Sequence, residues 1–352
     1  MLKQSKILFG GLPSLQRELS RKKWTGARFT ILVDENTFQH CLPELVNRID
    51  AFQTAEFIEL PAGEECKSLE VASQVWQTLL EGGADRSSVL VCLGGGSLCD
   101  LGGFVAAGYK RGIRHINVPT TLLAMVDAAI GGKTAVDFGG VKNSIGFFYP
   151  ADTTIIEPVF LDSLPQVSML CGEMEMVKTA AVVDGELYNN LIQDKGVDNI
   201  EPTLLNAHIK EVARFKDRVV KNDPYDNGVR KILNFGHTFG HAMEVYYGLP
   251  HGIAVGIGMR VAMYLSMKKT GLAEEVYSTY SQWLDSRLSH TEYQIPHINL
   301  KDVEQMLALM HQDKKCADGE VLCVLLMEPG TAIIDVAVSD NEVRDAMLHL
   351  GK

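Results

Sequence analysis

Residues 88–100 read S-V-L-V-C-L-G-G-G-S-L-C-D. Five consecutive apolar residues run into three glycines, and a Gly-rich helical pattern, L-C-D-L-G-G-F-V-A-A-G-Y, continues to residue 109. A buried strand that breaks at glycine and opens a helix is the basic unit of a parallel sheet. Working outward, F-T-I-L-V-D (29–34), A-E-F-I-E-L-P (55–61) and H-I-N-V-P-T-T (115–121) read as further strands. V-A-S-Q-V-W-Q-T-L-L-E (71–81) reads as a helix between them. The alternation predicts an α/β fold, with a Rossmann-like parallel-sheet domain spanning about residues 1–160. From about Phe160 the periods lengthen. E-P-T-L-L-N-A-H-I-K-E-V-A-R-F-K (201–216) and H-G-I-A-V-G-I-G-M-R-V-A-M-Y-L-S-M-K-K (251–269) predict a mainly helical second domain over 161–352. One late strand element is expected at 319–328.

A chain of 352 residues suits two such domains. The net charge of −11 argues against non-specific nucleic-acid binding, because a phosphate backbone rewards basic surfaces. Cysteines 41, 66, 92, 99, 171, 316 and 323 form no C-x-x-C pair and are odd in number, so a disulfide framework is not expected. The apolar run I-L-F-G-G-L near the N-terminus is short, holds glycines and precedes Arg17, Arg21, Lys22 and Lys23, which does not fit a signal peptide. The longest apolar helix, near Ile253–Met267, is interrupted by Arg260 and does not read as a membrane span. A cytoplasmic protein is expected.

The triple glycine lacks the G-x-G-x-x-G spacing, and alone it equally fits a tight turn that needs positive φ. Its context favours an anion, because backbone N–H groups at a helix start point outward. Ligands on parallel sheets bind at the carboxyl ends of strands. Asp34, Gly94, Gly95, Gly96, Thr120 and Thr121 all fall there, and Asp34 suits a ribose hydroxyl of a dinucleotide. Glu64 and Lys67, three apart in P-A-G-E-E-C-K, equally fit a solvated turn pair.

Glu175, His237 and His251 come from three separated segments and together make a carboxylate and two imidazoles, the donor set of a catalytic zinc-type site. His237 and His241 are four apart, on one helical face. The plain alternative for them is a pair of hydrogen-bonded, partly buried histidines. For Glu175 and Lys178, three apart, it is an ion pair. His251 opens a helix after Gly-Leu-Pro, a position that disfavours the protonated ring. Spacing does not decide whether the segments meet. Arg111, Lys133, Lys142, Lys178, Lys216, Arg230, Lys314 and Lys315 sit beside glycines, asparagines or these candidate ligands. Lys133 in I-G-G-K-T and Lys142–Asn143 in V-K-N-S-I-G have apolar or glycine neighbours, which predicts half-buried loops gripping a phosphate or carboxylate.

These residues resemble the 3-dehydroquinate synthase family of the sugar-phosphate cyclase superfamily, over nearly the whole chain. The resemblance rests on G-G-G-S-L-C-D-L-G-G-F, V-P-T-T-L-L-A-M-V-D, G-G-K-T, K-N-S-I-G, M-E-M-V-K, L-N-F-G-H-T-F-G-H-A-M-E, H-G-I-A-V-G-I-G-M and D-K-K. It implies a site in the cleft between the domains, a bound NAD, one divalent metal (zinc or cobalt) and a small phosphorylated sugar acid, 3-deoxy-D-arabino-heptulosonate 7-phosphate. The implied reaction passes through transient oxidation, phosphate elimination, re-reduction and aldol closure to 3-dehydroquinate, in the shikimate route to aromatic amino acids. By the same resemblance Glu175, His237 and His251 would ligate the metal. Asp34, Glu64, Lys67, Gly94–Gly96, Asp100, Thr120 and Thr121 would contact NAD. Asp127, Lys133, Lys178, Asn234 and His241 would be catalytic. Lys142, Asn143, Lys216, Asp226, Arg230 and one of Lys314 and Lys315 would hold substrate, and Arg111 would reach the partner's site in a homodimer.

The chain departs from the family pattern at Ala128–Ala129, Asp137, Val167–Ser168, Pro224 and Asp226. Asp137 adds negative charge near Lys133 and Lys142, and Asp226 is one methylene shorter than the expected glutamate. Both bear on substrate choice, so another sugar-phosphate cyclase is the neighbouring alternative. A glycerol-type, metal-dependent NAD alcohol dehydrogenase is the more distant one, since it needs no residues to grip phosphate.

Overall fold

The computed structural model describes residues 3–193, 196–197, 200–312, 316–317 and 320–350. The chain divides into two compact units, Met1–Pro165 and Gln166–Lys352.

The first unit is built on strands β1 (Lys6–Leu8), β2 (Phe29–Asp34), β3 (Glu56–Leu60), β4 (Val89–Gly94), β5 (Arg114–Pro119), β6 (Lys133–Phe138), β7 (Val141–Phe148) and β8 (Thr153–Ile155). Its helices are α1 (Gly11–Leu19), α2 (Glu35–His40), α3 (Leu42–Arg48), α4 (Leu69–Glu81) and α5 (Gly96–Gly108). Six strands form one parallel sheet in the order β1-β8-β5-β4-β2-β3. The four expected strands are β2, β3, β4 and β5, which lie side by side in it. β4 is buried along its whole length, which is why its sequence is continuously apolar. From β2 the chain steps outward to β3, whereas from β4 it steps the other way to β5. The direction therefore reverses between β2 and β4, the place where open α/β sheets bind ligands.

Helix α5 sits close on β4 and on β6 because its glycines allow it. A Cβ on Gly102 would lie 2.2 Å from Cys92 Sγ, and one on Gly103 would lie 2.4 Å from Thr134 Cγ2. The sequence pattern passed over β1 and β8, which are three residues each and so too short for any period to show. It also passed over an antiparallel hairpin of β6 and β7. Lys133, Lys142 and Asn143, expected in half-buried loops, lie on this hairpin and are exposed. Nearly every residue of β7 is exposed, so no apolar-polar alternation marks it.

The second unit holds α6 (Gln166–Val183), α7 (Gly185–Gln193), α8 (Pro202–Asn222), α9 (His237–Tyr247), α10 (His251–Lys269), α11 (Glu274–Leu288), α12 (Leu300–Gln312) and α13 (Asp340–His349). A small antiparallel sheet, in the order β11-β10-β9, adds β9 (Cys316–Ala317), β10 (Glu320–Glu328) and β11 (Thr331–Val338). The expected late strand is β10. Helix α10 is the centre of the unit and packs against α6, α9, α11 and β10. It is buried from Gly252 to Met259 and from Val261 to Ser266, so its apolar run is that of a central core helix. Arg260 leaves the core to meet Asp285 at 2.9 Å. Among the described residues no helix is long and apolar enough to cross a membrane.

Candidate active site

In the first unit the residues expected to hold a dinucleotide gather at the carboxyl end of the sheet. Asp34 closes β2, Gly94 closes β4, and Thr120–Thr121 follow β5. The Thr120 amide donates to Gly94 O at 3.0 Å. Gly94, Gly95 and Gly96 do not have positive φ, so a left-handed turn is not what requires them. Space requires them instead. A Cβ on Gly94 would lie 2.8 Å from Leu98, one on Gly95 3.1 Å from Thr121 Cγ2, and one on Gly96 2.9 Å from Ala128 Cβ. The start of α5 is capped by no side chain and carries no acid in its first turn, which suits an anionic ligand such as a pyrophosphate. Asp34 has a local role as well. Its Oδ1 accepts the Thr37 amide at 2.8 Å and so caps α2.

Glu64 and Lys67 are more than a solvated pair. Lys67 is 4% exposed, and its Nζ donates to Asp100 Oδ2 at 3.0 Å and to Asn143 Oδ1 at 2.6 Å. Glu64 accepts from Ser97 Oγ on α5. Burial pulls the Lys67 ammonium down, but the Asp100 and Glu64 carboxylates outweigh it and raise it above its ordinary value. Asp127 lies in a π-helical turn, Ala124–Ala128, after Thr121. Arg111 is exposed and follows Lys110 in a turn where both residues have positive φ.

In the second unit the three segments meet. Glu175, on α6, is fully buried, and its Oε1 lies 3.3 Å from His251 Nε2 and 3.7 Å from His237 Nε2. Neither imidazole hydrogen-bonds that oxygen. Donors bonded at about 2.1 Å to one tetrahedral ion stand roughly 3.4 Å apart, so the set fits a divalent metal. The structure also offers a second group, His241, Glu244 and His251, whose donor atoms likewise lie within 4.8 Å of one another. The ring centroids of His237 and His241 are 5.1 Å apart, as four-residue spacing on α9 requires.

The charges around these donors have identifiable causes. Burial works against the Glu175 carboxylate, but Lys178 Nζ at 2.5 Å and the two histidines hold it well below the usual range. Burial and the nearby Lys178 push His237 well down, towards the neutral ring that a metal needs. His251 corrects the expectation drawn from its place at a helix start. Burial disfavours its charge, yet the Glu175 and Glu244 carboxylates beside its two ring nitrogens, the second accepting a hydrogen bond from Nδ1, raise it to about 10. Two acids flank one imidazole, so the arrangement calls for positive charge there, from a proton or a metal ion.

Glycines let the segments converge. A Cβ on Gly258 of α10 would lie 2.2 Å from Gly236 O and 2.6 Å from Gly240 N, at the start of α9. One on Gly252 would lie 2.4 Å from the backbone of Cys171 on α6, and one on Gly256 2.6 Å from Met174 Sδ. Gly236 itself has φ +77 and ends the turn that delivers His237. Around this centre, Lys178 and Lys216 are buried on α6 and α8, and Asn234 ends a short 3-10 turn, Val229–Asn234. Arg230, also buried, donates from Nη1 to Pro224 O at 3.0 Å. Asp226 has φ +57 in the loop that Asp223 organises by accepting the amides of Asn227, Gly228 and Arg230. Lys314 and Lys315 lie outside the described residues.

Glu244 was not singled out by the sequence. Its Oε2 lies 2.8 Å from His251 Nδ1, the nitrogen on the far side of the ring from Glu175. The signal was its place three residues after His241, on the same face of α9. A carboxylate there fixes which His251 nitrogen faces Glu175. Glu244→Ala is expected to weaken divalent-metal affinity by roughly 10- to 100-fold, measured by competition with a chromogenic chelator.

A parallel sheet with a switch point, in a chain whose second unit is helical and holds a metal-competent group, is a fold shared with several solved proteins. The fold is similar to 2-deoxy-scyllo-inosose synthase (TM-score 0.82, 22% identity, 98% of this chain and 96% of that one). It is similar to 2-epi-5-epi-valiolone synthase from Streptomyces hygroscopicus subsp. jinggangensis (TM-score 0.83, 25% identity, 99% and 98%). It is less similar to an iron-containing alcohol dehydrogenase from Thermococcus thioreducens (TM-score 0.69, 17% identity, 100% and 99%). In sequence, residues 57–171 match the family model for the 3-dehydroquinate synthase N-terminal region and residues 172–316 match that for its C-terminal region. The 3-dehydroquinate synthase of Parabacteroides distasonis is 37% identical over 99% of this chain and 98% of its own length. That of a Nostoc species is 35% identical over 92% and 90%. The chain belongs to the 3-dehydroquinate synthase family.

Proposed function

We infer that this chain carries out its family's reaction, the conversion of 3-deoxy-D-arabino-heptulosonate 7-phosphate to 3-dehydroquinate and phosphate. The observation that carries the reading is the meeting of Glu175 with His237 and His251 in a chain that matches this family along nearly its full length. Glu175, His237 and His251 would hold one divalent ion, zinc or cobalt. Asp34, Glu64, Lys67, Gly94–Gly96, Asp100, Thr120 and Thr121 would hold NAD. The valiolone synthase was solved with NAD+ and Zn2+ bound, and the inosose synthase in complex with NAD+ and Co2+. When bound, these groups would supply reversible oxidation of one substrate hydroxyl and polarisation of its oxygen.

The chain's own side chains do the rest. Lys142, Asn143, Lys216, Arg230 and a lysine of Lys314–Lys315 grip the phosphate and carboxylate and neutralise the leaving dianion. Lys133 and Lys178 supply positive charge beside the reacting carbons, and Asp127 and Asn234 orient hydroxyls. A ring nitrogen of His241 moves protons, since its ring sits beside that of His237 yet is exposed. Asp226 orients substrate from its loop. We also propose a homodimer in which Arg111 reaches the partner's phosphate. Its exposed turn, with positive φ at Lys110, Arg111 and Gly112, supports that role. Six cysteines are buried free thiols, which fits a reducing cytoplasm.

The test is to supply purified protein with NAD, a divalent metal and the heptulosonate phosphate. Phosphate and dehydroquinate are expected in equal amounts, with no accumulation of NADH, because the cofactor returns to its starting state. Net NADH with neither product would mark an alcohol dehydrogenase instead. Turnover of another sugar phosphate alone would mark a different cyclase.

A further inference from the structure

Asp137 closes a ring of three hydrogen bonds in the first unit. Its amide donates to Lys67 O at 2.8 Å. Lys67 Nζ donates to Asn143 Oδ1 at 2.6 Å. The Asn143 amide donates back to Asp137 Oδ1 at 2.7 Å. The hairpin register shifts between Val136 and Phe138, and at this irregularity Asp137 forms a parallel bridge to Ser68 instead. The bulge thus turns the Asp137 amide toward the Lys67 segment while its side chain reaches across to β7. Asn143 stands at φ +54, a left-handed conformation that asparagine tolerates better than most residues but that still needs support. The Asp137 carboxylate holds the amide of that strained residue by a charge-assisted hydrogen bond.

We propose that Asp137 is a positioning residue. It keeps Asn143 in the left-handed conformation and, through Asn143, ties the Lys67 turn to the Lys142–Asn143 strand. The cofactor-side turn and the substrate-side pair are then ordered as one piece. The proposal rests on the reading of Asn143 as a substrate residue. What the ring needs from position 137 is an oxygen acceptor at that reach rather than a negative charge, so a carboxamide can replace the carboxylate.

Steady-state kinetics of the full chain, with NAD and a divalent metal, test this. Asp137→Ala is expected to raise KM for the heptulosonate phosphate about tenfold, with kcat within about threefold of the parent, the size of effect one charge-assisted hydrogen bond carries. Asp137→Asn is expected to stay within about threefold of the parent in both constants. In the double variant with Asn143→Ala, KM should be no worse than for Asn143→Ala alone, because both changes break one ring. If the alanine variant does not fold, Asp137→Ser takes its place, since its oxygen falls short of the Asn143 amide, and the same rise is expected. A parental KM in the alanine or serine variant overturns the proposal. So does an asparagine variant as impaired as alanine, or additive effects in the cycle. If Asn143→Ala alone leaves KM unchanged, the substrate role of Asn143 fails, and that failure is visible separately from any effect at Asp137.

Discussion

Glu175→Gln is expected to release the divalent ion and lower turnover by roughly a thousandfold, the order of several kcal/mol that a Lewis-acidic ion lends a transition state. The substitution keeps the side chain's shape and removes its charge. Glu175 Oε1 is the oxygen that faces both His251 and His237, and a neutral amide is a poor ligand beside two neutral imidazoles. A second consequence follows from Lys178. Its ammonium is buried against Glu175, so the variant takes a close negative charge away from a buried cation and should lose about 3 kcal/mol of stability. The two effects are read separately. Metal content after gel filtration, by elemental analysis, should fall to near zero. NAD affinity, by fluorescence titration, should stay close to that of the parent, because the proposed NAD residues lie in the other unit. A variant that keeps one ion per chain would show that the ligating acid is another residue.

Gly258→Ala is the second large effect. Its Cβ would lie 2.2 Å from Gly236 O and 2.6 Å from Gly240 N, and backbone atoms cannot rotate out of the way. Helices α9 and α10 would have to separate, at about 3 kcal/mol or more of overpacking strain. His237 stands at the first position of α9 and His251 at the first position of α10, so the separation also moves the donors apart. Urea denaturation should show a lower midpoint with an unchanged slope, and metal affinity should fall in step. An unchanged midpoint and unchanged metal affinity would show that close helix approach does not build the site.

How far the sequence revealed this depends on what each element needs. β2, β4 and β5 are long and buried, so their apolar runs show plainly, and the glycine break after β4 marks the ligand end of the sheet. β7 is exposed and short of alternation, and Lys133 is the exposed first residue of β6, so these lysines read as loop residues although they stand on strands. The triple glycine was legible as a special turn, but its cause was not. Positive φ can be guessed from a dipeptide, whereas contact with Leu98, Thr121 and Ala128 depends on residues that come together only in the fold. The same holds for the metal-competent group. Residue types named the donors, while their meeting depends on Gly236, Gly252, Gly256 and Gly258, which in a helical run read only as weak helix formers. Glu244 was missed because an acid late in a helix ordinarily faces solvent. Only the fold turns it onto His251.

We propose that one cation sits among Glu175, His237 and His251, with His241 beside it as a proton carrier. An anomalous difference map from crystals of the cobalt-loaded protein tests it most directly. The expected result is a single strong peak bounded by Glu175 Oε1 and the Nε2 atoms of His237 and His251. A peak held instead by His241, Glu244 and His251 would contradict it, because the donor would then be His241 and the proton carrier would have to be found elsewhere.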